Sequence, residues 1–160
     1  MSRFWLVLLL LALPAMAADF RPFGHDSRAA IARAHLGKPF VLVFWSVDCA
    51  YCAEEIRQLD ILMREHPGID VVLVCTDGVE MAGQAADMLA RSLPAGRAER
   101  WMFGGGDADR LYFAVDRKWR GELPRAYFYD VAGKARVVAG QVDRHWLKEW
   151  AQGIATSNHK

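Results

Sequence analysis

Phe40-Val41-Leu42-Val43-Phe44-Trp45 is apolar throughout and rich in β-branched and aromatic side chains. A strand with no polar face has to be covered on both sides, so this run predicts a central strand of a layered α/β domain. Ile69 to Cys75 reads as a second buried strand. The residues between them, from about Cys49, carry Ile56, Leu59, Leu62 and Met63 at helical core spacing and stop near His66-Pro67-Gly68. Two buried strands joined by a helix run parallel through a right-handed crossover. That one unit fixes much of what the rest of the chain can do.

The flanking segments are read the same way. Asp19 to Asp26 looks like an irregular lead-in, and Arg28 to Leu36, with Ser27 as N-cap, is a short helix ending at Gly37. Val79 to Leu93 is helical and broken by Pro94-Ala95-Gly96. Glu99 to Phe103 is a short strand, and Gly104-Gly105-Gly106 turns into a helix capped by Asp107 that runs to about Val115. Pro124 opens the strand Arg125 to Val131; Gly133-Lys134 turns into the strand Ala135 to Gln141, completing a hairpin. A last helix, from about Asp143 to Ile154, puts Trp146 and Trp150 on one face. The expectation is an α/β domain, a central mixed sheet with helices on both faces.

With 160 residues there is room for one such domain and not for two. Twenty basic against 19 acidic residues leave a net charge of +1 with no basic stripe, so no nucleic-acid partner is expected. The first 17 residues stand apart. Arg3, the ten-residue apolar run Phe4 to Leu13, Pro14 and the small-x-small site Ala15-Met16-Ala17 have the anatomy of a secretory signal peptide. Ten apolar residues make a helix of roughly 15 Å, half the depth of a bilayer core. Residues 1–17 are therefore expected to be cleaved, leaving 18–160 as one domain outside the cytoplasm. A retained membrane anchor is the alternative.

Cys49-Ala50-Tyr51-Cys52 stands where the first strand hands over to the helix. Zinc sites use the same spacing but need four ligands, and no second Cys/His pair matches; no metal is expected here. Residues three apart at a helix start share a face, so the two sulfurs can bond. Free N–H groups of the opening turn favour a thiolate at the first sulfur. Cys49 is then the attacking nucleophile and Cys52 the resolving thiol. A disulfide closing so small a loop would add little stability, which argues against a purely structural bridge. Cys75, the odd cysteine, is expected to pack as a small hydrophobe. On local grounds the Leu123-Pro124 bond has the trans default.

The stretch from Lys38 through Glu55, the Leu123-Pro124 step and its strand, the Gly133-Lys134 turn and the last helix together resemble thioredoxin-like proteins. The resemblance is closest to the TlpA/ResA-like exported thiol–disulfide oxidoreductases, and it covers Arg28 to Ile154. It implies the thioredoxin fold with a helical and strand insert before a cis proline at Leu123-Pro124, facing the cysteine pair. It implies Glu55 as an acidic residue near the thiols, with Cys49 and Cys52 as the catalytic pair. Trp45, Tyr51, Leu123 and Pro124 are then the residues expected at the substrate surface. No cofactor is implied beyond a redox-active disulfide.

The resemblance also implies a monomeric periplasmic reductase of protein disulfides, in the manner of cytochrome c maturation. Its partners would be proteins bearing disulfides or thiols, and an upstream thiol electron donor, for which a membrane protein is a candidate. This chain departs from the family at Asp48, where Trp is frequent, and in the proline-free Ala50-Tyr51 dipeptide. Redox potential cannot be carried over, so a disulfide oxidase of the same fold stays open. So does a thioredoxin-fold copper carrier using the cysteine pair and a histidine.

Overall fold

The computed structural model describes residues 20–94 and 97–157. The expected leader lies outside the described residues. Among the described residues, no helix is long and apolar enough to cross a membrane.

Six strands form one mixed sheet in the order β1-β4-β3-β2-β5-β6. They are β1 (Arg21–Phe23), β2 (Phe40–Trp45), β3 (Asp70–Cys75), β4 (Glu99–Phe103), β5 (Arg125–Tyr129) and β6 (Ala135–Ala139). The helices are α1 (Ser27–Ala34), α2 (Cys52–Glu65), α3 (Ala82–Ser92), α4 (Ala108–Val115) and α5 (Arg144–Ser157), with a 3₁₀ turn at Val79–Met81. β2 pairs with β3 in parallel and with β5 antiparallel. This is the thioredoxin fold, with α3, β4 and α4 inserted before β5.

Alternation along β2 explains its continuous apolar run. Val41, Val43 and Trp45 pack with α2, α3 and α5 through Ile56, Leu59, Leu89 and Leu147. Leu42 and Phe44 face the other way, onto a mostly aromatic layer that includes Phe23, Trp119 and Tyr127, with Ile31 of α1 and Val115 of α4. Phe128 of β5 is held edge-on by Trp146 and Trp150, at 4.8 and 5.0 Å between ring centres. The two α5 tryptophans are packing residues.

Several boundaries differ from the sequence reading by a few residues: α1 starts at Ser27 itself, with Asp26 in the cap position and no side-chain cap bond, and β5 and β6 end at Tyr129 and Ala139. Two differences matter more. The lead-in is not irregular: Arg21–Phe23 forms an edge strand paired in parallel with β4. Three residues are too few to show alternation, and the partner lies far along the chain. Phe23 pins the strand by stacking on Phe103 at 5.6 Å and meeting Phe44 edge-on at 5.5 Å. The second difference is at α2, which begins at Cys52 rather than Cys49. Residues 49–51 form the preceding turn, closed by the Cys52 N–H donating to the Cys49 carbonyl at 3.2 Å. The β5–β6 turn is as expected: Gly133 has a φ of 77°, and the Asp130 side chain accepts from the N–H groups of Ala132 and Lys134.

Candidate active site

The C-terminal ends of β2 and β3 and the N-terminal end of β5 meet at one pole of the sheet. Cys49 and Cys52 are joined there as a disulfide, with Cα atoms 5.4 Å apart. Cys49 is half-buried and Cys52 fully buried. Only the first sulfur is therefore open to a partner. No side chain caps α2, and beyond the Cys52 N–H, which the Cys49 carbonyl takes, the N–H groups of Ala53 and Glu54 in its opening turn can stabilise negative charge beside the pair.

The loop carrying Cys49 is stitched to its neighbour. The Asp77 carboxylate accepts the Val47 N–H at 2.7 Å and the Cys75 thiol at 3.3 Å. The Thr76 N–H donates to the Trp45 carbonyl at 2.8 Å, and its hydroxyl adds a longer bond to the same oxygen. Cys75 is thus more than filler. Burial pushes its thiol up, so it stays protonated and serves as a donor. Sequence reasoning missed Asp77, which no motif marks.

Leu123-Pro124 is cis. The pairing of Phe44 with Arg125 sets this bond where the cysteine loop leaves β2. Its approach is braced: Arg125 donates to Asp116 at 2.6 Å and to the Tyr127 hydroxyl at 2.8 Å. The Trp119 indole N–H donates to the Glu122 carbonyl at 3.0 Å. At Gly121, with φ of 94°, an added Cβ would lie 3.2 Å from the Tyr112 ring. Only glycine fits that turn comfortably.

Of the four residues expected at the substrate surface, Tyr51 is 60% exposed and Leu123 half-buried. Pro124 is buried. Trp45 has to be corrected. Its side chain has no accessible surface, because it sits on the α2 face of β2 within the core. A substrate cannot touch it, so Trp45 supports the site from beneath. Val79, 66% exposed on the turn following β3, is an apolar neighbour at the same pole that the sequence did not single out.

Glu55 lies one turn into α2 and is 1% exposed. Its Oε2 accepts the Val142 N–H at 3.1 Å, while Oε1 has no hydrogen-bond partner among the described residues. Burial pushes this carboxyl up to about 7; the Val142 N–H opposes the rise and the neighbouring Glu54 adds to it. Glu54 behaves oppositely. Bonds from Gln58, Arg57 and Arg144 hold it below the usual carboxylate range. Among the described residues, no group of three or more His, Cys, Asp or Glu side chains is arranged to hold a metal ion.

Comparisons with known proteins place this geometry. No family model matches the sequence, and no curated protein matches it. Solved structures do. The DsbF protein of Mycobacterium tuberculosis, solved in mixed oxidised and reduced forms, aligns with a TM-score of 0.59 at 21% identity, covering 76% of this chain and 84% of that one. A secreted disulfide oxidoreductase of the same organism, homologous to E. coli DsbE, gives 0.59 at 17% identity, covering 76% and 85%. A thiol:disulfide interchange protein of the thioredoxin family from Chlorobium tepidum gives 0.60 at 16% identity, covering 77% and 83%. These likenesses establish the thioredoxin fold and agree with the resemblance seen in the sequence.

Proposed function

We propose that the protein is an exported thiol–disulfide oxidoreductase of the TlpA/ResA-like kind that reduces disulfides in other proteins. The observation that carries this reading is the asymmetric pair: a half-buried Cys49 bonded to a buried Cys52 at the head of α2. In the reduced protein the Cys49 thiolate attacks a substrate sulfur, forming a mixed disulfide and releasing one substrate thiolate, which takes a proton from solvent. Cys52 then gives its proton to the Glu55 carboxylate and attacks Cys49 Sγ. The second substrate thiolate leaves and is protonated in turn. The substrate has gained two electrons and two protons, and the Cys49–Cys52 disulfide of this structure is the product. A dithiol donor must restore the reduced state. Glu55 suits the proton step because a carboxyl poised near neutrality can both accept and release it. Leu123 offers backbone to an extended substrate segment, and Tyr51 offers an exposed ring.

Equilibration in glutathione buffers with thiol trapping tests the direction. A potential of about −250 mV or lower is expected, whereas about −120 mV would make the protein an oxidant and overturn the reductase reading. In cells, Cys52→Ser should accumulate mixed disulfides with client proteins. Recovering none would exclude protein disulfides as the substrate.

A further inference from the structure

A carboxyl that takes a proton from Cys52 has to return it to solvent before the next cycle. Glu55 is almost wholly buried, and its only hydrogen bond among the described residues is the Val142 N–H on Oε2. Its Oε1 is left without a partner. The same residue lines an open hollow of about 490 Å³, together with Glu54, Gln58, Gln141, Asp143 and Arg144. That space is polar and roomy enough for several waters. The rim is built from charges. Glu54 Oε1 accepts from Arg144 at 2.6 Å and from Gln58 at 2.6 Å, and its Oε2 accepts from Arg57 at 2.9 Å. Two bonds therefore span one gap between α2 and the head of α5: Val142 to Glu55 within, Arg144 to Glu54 at the mouth.

We propose that this hollow is the solvent door of Glu55, and that Glu54 and Arg144 at its rim are positioning residues that set the proton affinity of the Glu55 carboxyl. This rests on the reading of Glu55 as the group that exchanges a proton with Cys52. The charged groups around the hollow are Glu54 and Arg57 of α2 and Asp143 and Arg144 at the start of α5. A nearby anion makes a second ionisation harder, and a nearby cation makes it easier. Three donors keep Glu54 ionised, so its charge opposes the loss of the Glu55 proton. The Arg144 guanidinium, 2.6 Å from Glu54 at the same rim, is a cation and acts in the opposite sense.

The test is the pH dependence of peptide-disulfide reduction by the reduced protein. Besides the inflection of the Cys49 thiol itself, the wild-type profile should show a second one near pH 7 that Glu55→Gln removes. Glu54→Gln should move it down by about half a pH unit, and Arg144→Gln should move it up by a similar amount. Glu54→Gln added to Glu55→Gln should change nothing further. If that second inflection survives Glu55→Gln, the proton-transfer reading falls and the present inference with it. An inflection removed by Glu55→Gln but unmoved by both rim variants would sink the inference alone. Variants that rescale the rate equally at every pH would count against it in the same way, because a merely structural role predicts that pattern.

Discussion

Arg125, directly after the cis proline, and Glu55, one helical turn past Cys52, are buried charged side chains on opposite faces of the sheet. Arg125, on the aromatic face, is paired: its Nε donates to the Tyr127 hydroxyl and one Nη to Asp116, and the Trp119 ring lies 5.6 Å away. The Lys118 N–H and the Arg125 guanidinium together hold Asp116 below the usual carboxylate range. Glu55, on the opposite face, has among the described residues one N–H partner and no bonded cation. A satisfied buried charge fixes geometry, and here it braces the proline loop. A half-satisfied one sits near its titration point, which suits proton transfer and costs stability.

That contrast can be broken or sharpened at four positions, taken here in falling order of effect. Cys49→Ser should abolish disulfide reduction while leaving the melting temperature of the reduced protein nearly unchanged; residual turnover would show that another thiol can attack. Arg125→Met takes the cation from Asp116 and a donor from the Tyr127 hydroxyl, and should lower stability by about 3 kcal/mol in urea unfolding at neutral pH. A much smaller loss would mean the brace is dispensable.

Glu55→Gln should do the reverse. The folded carboxyl titrates near 7 and the unfolded one at 4.5, so the native state holds a proton the unfolded chain has lost across that window. Wild-type stability therefore falls as pH rises from about 4.5 to 7, by up to roughly 3 kcal/mol. The Gln variant should lack that slope and be the more stable protein at pH 8, with little difference at pH 4. Equal slopes would remove the contrast with Arg125. The smallest effect is expected for Asp77→Ala, which frees the Val47 N–H and the Cys75 thiol. About 2 kcal/mol of stability should go, with a several-fold slower attack by Cys49, read by alkylation of the reduced protein.

Local features were the legible ones. The Cys49–Cys52 spacing, the fully apolar β2 and the Asp107 cap each express a rule acting over a few residues, and the structure follows them. What escaped was made by distant partners. Asp77 reaches Val47 across 30 residues and Glu55 reaches Val142 across 87, so neither bond leaves a trace in local pattern. Trp45 shows the opposite failing. The family resemblance implied a contact surface there, but alternation along β2 turns its ring inward. The pairing that carried the cis proline to the cysteine loop was likewise expected only through the family resemblance, since nothing near Leu123 demands it.

β1 has a consequence for how the domain is assembled. Its Arg21 pairs with Trp101 and its Phe23 with Phe103, so the strand synthesised first is without its neighbour until most of the sheet exists. A nascent chain must keep that short edge waiting, and closing it is a long-range event of the slow kind. The aromatic layer is completed only when the two ends of this interval meet. Whatever compartment the polypeptide matures in, this edge strand has no partner to dock on until β4 has been made.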